Sequence, residues 1–436
     1  MIIKVVTLGC KVNQYESGAI VAALKKIGYN ASEGLESADV YIINTCSVTA
    51  EADRKSRQYV GKMRKLNRDC DIIVLGCSAE NKPESFKLDN VVAVGGTEDK
   101  TNFAINEVNS LLNTPKYSIL PDRILYLGAD LCDECGHMPI PVFDRTRAYV
   151  KIQDGCNRFC TYCIIPYLRG RCVSRSIDDI VSECEQIGSH EIVLTGIDIS
   201  AYGTDNGTTL PELLTSLSGI RARKRIGSLE CEAVTDELLC AMRDCGFCPH
   251  FHLSLQSGDD DVLKSMNRRY DCEYYYEKIA LIREYFPLAG ITTDIIAGFP
   301  TETDERFENS CEFIKKCEFS DIHVFPYSAR AGTLAARKYS ALPPETLKRR
   351  VGVLLGIKTE LHDRFISKNL GAVASVYTES REGRYNVGYT PNYIKVYSDA
   401  PCGEITDLRL VSQYDSGILG ELKNNDYLRK VERSND

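Results

Sequence analysis

The 436-residue chain has no apolar run approaching the ~20 residues that span a bilayer, and no signal-peptide pattern opens it. The expectation is a cytoplasmic protein with no membrane partner. It also lacks a positive balance: 53 Lys and Arg stand against 61 Asp and Glu. That excludes bulk charge as a means of holding a polyanion. There is no internal repeat, no low-complexity stretch and no regular His-rich pattern among the six histidines. Nor do the cysteines form an even, closely spaced set. There are nineteen, scattered over the whole length, which argues against a disulfide framework and for metal binding or thiol chemistry by a few of them. Most of the nineteen are expected to be small buried packing residues.

What the sequence does have is alternation. Residues 2–8, 40–44 and 72–75 are β-rich, and Gln14–Ile27 carries Ile20, Ala23, Leu24 and Ile27 at helical spacing before Gly28. This predicts a parallel α/β domain over residues 1–120. A proline-marked linker follows at 121–144. A second alternating series begins at 145, with strand candidates at 148–153, 191–196, 225–230, 251–257, 291–298 and 321–328. Six strands predict a partial (β/α)6 barrel rather than a closed eight-stranded one. Pro343-Pro344 opens a long helix ending near Gly371, and residues 371–436 read as a small β-barrel.

Cys156-Asn-Arg-Phe-Cys160-Thr-Tyr-Cys163 falls just past the first barrel strand, after Gly155, which permits a tight turn. Ferredoxin runs use shorter gaps and a fourth cysteine, and zinc sites favour paired Cys-x-x-Cys; this spacing fits neither. Three thiolates hold three irons of a [4Fe–4S] cube and leave the fourth for the amino and carboxylate groups of S-adenosylmethionine. One electron then cleaves the sulfonium and yields a 5′-deoxyadenosyl radical. Tyr162 is placed to lie against the adenine.

Cys10, Cys46 and Cys77 each close an apolar strand, 36 and 31 residues apart, about one βα unit each. A parallel sheet gathers strand C-termini on one edge. Three distant thiols should therefore meet, predicting an auxiliary [4Fe–4S] cluster. Each taken alone reads more readily as a buried strand-end residue, and the three together as a cluster site. Cys132-x-x-Cys135 with His137, and Cys245-x-x-Cys248, are set aside as zinc ligands because they lie 110 residues apart.

Thr7-Leu-Gly-Cys10-Lys-Val-Asn-Gln-Tyr-Glu16, Asn44-Thr-Cys46-Ser-Val-Thr-Ala-Glu51 and the loop 155–166 resemble the radical S-adenosylmethionine methylthiotransferases. So do His252–Gly258, Met266–Tyr270, Gly298–Thr303 and Val324–Ser328, so the resemblance covers essentially the whole chain. It implies an N-terminal auxiliary-cluster domain, a radical core (145–370) and a C-terminal TRAM-like domain (371–436). Lys11-Val12 and Val387–Ile394 are most similar to the branch that adds a methylthio group at C2 of N6-threonylcarbamoyladenosine, position 37 of tRNA. The isopentenyladenosine branch usually has Gln-Met after the first cysteine, and the ribosomal-protein branch Pro-Lys. Those substrates remain alternatives, as does a non-catalytic iron–sulfur protein that binds RNA or senses redox state.

The resemblance further implies two uses of S-adenosylmethionine, one to methylate a sulfur and one to generate the radical. A sulfur source and an electron donor would be partners beside the tRNA anticodon stem-loop. Thr195, Gly196, Glu230, Gln256 and Gly298, at strand ends, are candidate cofactor contacts together with Tyr162, each equally readable as packing. Cys231 stands where the family usually has proline. Three basic clusters are candidate RNA contacts: Arg54 to Arg68, with seven basic residues and no acidic one; Arg169, Arg171 and Arg175; and Arg221 to Arg225. Arg54, Lys55 and Arg57 head the first. Residues 371–436 hold eight Lys and Arg against ten Asp and Glu, so RNA contact there falls to Tyr389, Asn392 and Tyr393.

Overall fold

The computed structural model describes residues 1–112, 140–141 and 146–423. The expected linker and the Cys132–His137 motif lie largely outside the described residues. The chain packs as two compact units, Met1–Thr209 with Ser328–Lys338, and Leu210–Tyr327 with the residues from Tyr339 onward.

In the first unit, β1 (Ile2–Thr7), β2 (Asn30–Glu33), β3 (Val40–Thr45), β4 (Asp71–Gly76) and β5 (Val91–Val94) form a parallel sheet in the order β2-β1-β3-β4-β5. β3 is buried at every position, as a central strand covered on both faces should be. One face packs Ile20, Val21 and Leu24 of α1 (Lys11–Lys26). The other packs Val60 and Met63 of α2 (Ala50–Leu66). α1 stops as its sequence predicts: Gly28, at a φ of 95°, donates back to the Lys25 carbonyl. α2 is capped by the Thr49 side chain, which accepts from the Ala52 amide. A third helix, α3 (Lys100–Leu112), covers the β1–β3 side. Beyond it, β6 (Arg147–Lys151) and β7 (Glu191–Thr195) pair in parallel.

The second unit holds β8 (Arg223–Ile226) and a parallel sheet of β9 (Ser228–Leu229), β10 (His250–Leu253), β11 (Gly290–Ala297) and β12 (Asp321–Pro326). Every strand expected of the second alternating series is thus present. The long helix α4 runs Pro344–Asn369. It leads into a closed barrel of five strands, β13 (Val373–Glu382), β14 (Tyr385–Tyr389), β15 (Lys395–Ser398), β16 (Ile405–Tyr414) and β17 (Gly417–Leu422), in the order β13-β14-β15-β17-β16. The barrel closes around Val376, Val396, Leu408 and Ile418. The α/β class with a terminal small β-barrel is as the patterning predicts.

Arg223 and Arg225 are explained here. Arg223 donates to the carbonyls of Tyr389 (2.9 Å) and Ser375 (2.9 Å), and Arg225 to those of Pro391 (2.7 Å) and Thr390 (2.8 Å). Tyr393 stacks on His250 and on Tyr389 and lies under the Arg225 guanidinium. Asn392 donates to Leu288 O and Asn369 Oδ1. These residues tie the β-barrel to the strands β8 and β10 within the second unit. The sequence offered them as RNA contacts; the geometry gives them a mechanical task.

Candidate metal centre

Cys10, Cys46 and Cys77 follow β1, β3 and β4, neighbours in one parallel sheet. Asn13 holds the first two loops together by donating to Leu8 O (2.8 Å) and Thr45 O (2.9 Å). Thr45 holds the second to the third: its hydroxyl donates to Leu75 O and accepts from the amides of Ser78 and Ala79, capping the short helix that starts at Cys77. A Cβ at Gly9 would stand 2.6 Å from Cys46 Sγ, and Gly9 has a φ of 99°. Only glycine carries the chain past that thiol. Burial pushes the Cys46 thiol up to about 12, with Cys10 and Cys77 near enough to add to the shift. Cys10, Cys46 and Cys77 would hold a metal cluster as thiolates, giving up their protons to do so. The donor set fits the auxiliary cluster that the strand ends predict.

Gly9→Ala is therefore expected to cost the chain about half its iron, measured after anaerobic reconstitution. Iron retained at the wild-type level would show that this turn does not shape a cluster site.

The second trio begins two residues after Asp154, whose Oδ1 accepts from the Gly155 amide (2.8 Å). Gly155, at a φ of 71°, has the Arg171 carbonyl where a Cβ would be, so the loop can close nowhere else. The Cys163 amide donates to Cys160 O, and Cys156 Sγ lies 3.8 Å from Asp198 Oδ2. Burial, then Asp198 and Cys160, push the Cys156 thiol up to about 12 against the Arg158 amide that lowers it. Here too the donor set fits a metal cluster.

One residue pair connects the two trios. Arg169 Nε donates to Cys77 Sγ (3.3 Å), while the carbonyl of the next residue, Gly170, accepts from the Cys156 amide (3.1 Å). The Arg169 side chain is 1% exposed and also donates to Glu16 (3.0 Å), Asp154 (3.0 Å) and Asn13 (2.7 Å). Lys100 joins Glu16 at 2.6 Å and Lys151 joins Asp154 at 3.0 Å. Burial alone would raise the Glu16 carboxyl, but Lys100, Arg169 and Lys151 hold it well below the usual range. Three cations against two carboxylates leave a positive balance beside Cys77, which suits an anionic thiolate–iron assembly.

Sequence reasoning singled out the six cysteines and missed this network. Arg169 was grouped with a cationic surface; it is buried. Arg175 is likewise engaged, with Glu183 at 2.6 Å and Tyr15 at 3.2 Å. The signal was present in the first motif, where Asn13 and Glu16 lie three and six residues past Cys10 on α1. Cys172 takes no part in the loop's thiol set; it accepts from Gln153 Nε2 at 3.1 Å. Of the candidate cofactor contacts, Tyr162, Thr195 and Gly196 belong to the first unit. Tyr162 is half-buried, Thr195 is buried at the end of β7, and Gly196 lies against Gln153 O and Ile199. Glu230, Gln256 and Gly298 belong to the second. Glu230 pairs with Arg268; Gln256 has a φ of 72°, unusual for a residue with a side chain; the Gly298 amide donates to Glu302 Oε1. Cys231 is fully buried.

Two family models match the chain: the Radical SAM superfamily over residues 150–314, and Uncharacterized protein family UPF0004 over residues 3–95. A Bacillus subtilis (strain 168) protein named threonylcarbamoyladenosine tRNA methylthiotransferase MtaB is 37% identical over 418 residues, 89% of this chain and 88% of its own length. The chain belongs to the radical S-adenosylmethionine tRNA methylthiotransferase family. A Thermodesulfovibrio yellowstonii member named tRNA-2-methylthio-N(6)-dimethylallyladenosine synthase is 32% identical over 95% of this chain and 97% of its own. Among solved structures, the cobalamin-dependent S-adenosylmethionine radical enzyme OxsB matches at a TM-score of 0.52 and 11% identity, over 84% of this chain and 56% of that one. That likeness is one of fold. As a member of this family the chain is an enzyme that uses S-adenosylmethionine and [4Fe–4S] clusters.

Proposed function

We propose that the enzyme adds a methylthio group to C2 of N6-threonylcarbamoyladenosine at position 37 of tRNA. Cys156, Cys160 and Cys163 would hold the radical cluster, and Cys10, Cys46 and Cys77 the auxiliary one. When bound, these groups and S-adenosylmethionine supply the radical that opens an inert C–H bond and the sulfur that replaces the hydrogen. The protein's own part is positional. Asn13 and Thr45 fix the three strand-end loops, and Arg169 with Gly170 sets the second trio against the first. Tyr162, Thr195 and Gly196 are assigned to the cofactor on the first unit. Electron donor and sulfur source would act from the cytoplasm.

The observation that supports the chemistry is the Arg169–Gly170 link, in which adjacent residues bond Cys77 Sγ and the Cys156 amide. The substrate rests on Lys11-Val12 and on relatives such as the Bacillus protein, whose name specifies threonylcarbamoyladenosine. For the tRNA backbone, the face of α2 with Arg54, Lys55, Lys62 and Lys65 exposed, and Arg68 exposed just past its end, supports phosphate contact; Arg57 is half-buried beside them. Arg54 and Lys55 share Glu51 as counter-charge.

Nucleoside analysis of tRNA from cells lacking the gene tests the substrate. Loss of the methylthio-threonylcarbamoyl nucleoside with the methylthio-isopentenyl one retained is expected. The reverse pattern would overturn the assignment in favour of the dimethylallyl substrate named for the Thermodesulfovibrio relative.

A further inference from the structure

The device that gathers the cysteines operates a second time, in the other unit, with different ligands. His252, Asp294 and His323 stand on β10, β11 and β12, three adjacent parallel strands. Register places them on one face: His252 is opposite Thr292, and Asp294, two residues on, is opposite His323. The neighbours Phe251 and Leu253 point the other way and are fully buried. Their separations, 42 and 29 residues, hid the grouping from any search for local His-x-His spacing.

One donor atom from each of the three lies within 4.8 Å of the others, and no other such group of metal-ligating side chains occurs among the described residues. His252 Nε2 is 3.3 Å from Asp294 Oδ2, close to the edge of about 3.4 Å between two ligands at tetrahedral zinc bond lengths. The other ring nitrogen, Nδ1, lies 2.9 Å from Thr292 Oγ1, and that hydroxyl is 3.5 Å from Phe251 O. The tautomer that carries its proton on Nδ1 donates it to Thr292 Oγ1 and leaves the Nε2 lone pair on the side of the carboxylate, the form a metal ion would use. In that tautomer Nε2 and the carboxylate oxygen are placed to share a bound cation. An outer hydroxyl that fixes the tautomer is the usual support of a metal-bound imidazole. The nearest cation on α4, Lys358, is already neutralised by Asp321 at 2.6 Å. His252 and Asp294 keep partial exposure, 14% and 31% of their side chains, so an ion can enter.

We propose that His252, Asp294 and His323 form a divalent transition-metal site separate from the cysteine sets. Two imidazoles and one carboxylate suit zinc, cobalt or ferrous iron rather than calcium or magnesium. Three protein ligands leave at least one position for water or an oxygen ligand.

The probe is Co2+, added in one equivalent to the anaerobically reconstituted full-length protein, followed by desalting, metal analysis and cobalt-edge X-ray absorption. The expected result is one cobalt per chain with a nitrogen and oxygen shell that includes imidazole. Asp294→Asn and His323→Ala should each lose it with iron content unchanged. Absence of cobalt from wild-type protein, a sulfur shell, or cobalt kept by both variants would overturn the site. Cobalt bound with imidazole by protein that takes up no iron would leave this site standing and remove the cysteine assignment instead. Because the wild-type spectrum reads the ligands directly, the test survives a variant that fails to fold.

Discussion

Replacing Cys10, Cys46 and Cys77 together with alanine is expected to lower the iron content from about eight to about four per chain, the count for one cube in place of two. Methylthio product should disappear altogether. Formation of 5′-deoxyadenosine from S-adenosylmethionine and a reductant should persist, because Cys156, Cys160 and Cys163 remain. The complementary triple variant in the loop should abolish both. The asymmetry is the informative part. The first trio sits at the ends of β1, β3 and β4, and its loops are fixed by Asn13 and Thr45, neither of which bonds the loop at 156–163. Loss of its thiols removes ligands without removing those bonds. Unchanged iron in the first variant, or loss of 5′-deoxyadenosine with it, would refute the division of labour between the two sets.

The second large effect is expected at Glu16, which touches no thiol. Its carboxylate is 4% exposed and answers Lys100, Lys151 and Arg169. Glu16→Gln keeps the shape and removes the charge, leaving three buried cations with Asp154 alone. Breaking a buried ion pair by deleting one partner costs about 3–5 kcal/mol, and the folded form of the first unit should weaken by that order in denaturant titration of the cluster-free protein. Arg169 would lose its main anchor, so the contact with Cys77 Sγ should loosen as well. A loss of less than about 1 kcal/mol, the range of an exposed pair, would show that Glu16 is not the keystone charge.

How much of this was legible beforehand differs by residue. Cysteines at the ends of apolar strands could be read because parallel topology alone dictates where strand ends go. The helix at Pro344 and the small terminal barrel followed from proline and glycine placement. The basic clusters were read less well, since charge along a sequence does not reveal what a guanidinium faces. Arg223 and Arg225 face carbonyl groups of the β-barrel, and Arg169 and Arg175 face buried carboxylates. Of the three clusters, the one on α2 leaves Arg54, Lys55, Lys62 and Lys65 exposed together. The histidines went unread for the opposite reason: their grouping depends on strand register, which no spacing rule over 42 residues supplies.

The Glu16 network also bears on ancestry and engineering. Glu16 comes from the stretch that matches one family model, and Lys151, Asp154 and Arg169 from the stretch that matches the other. A chimera that grafts this N-terminal sheet onto the core of a distant cousin would inherit a carboxylate without its socket. Domain shuffling in this lineage must therefore move the five charges, Lys100 included, as a set, and a recombinant lacking any of them would meet its barrier in folding before chemistry is ever sampled.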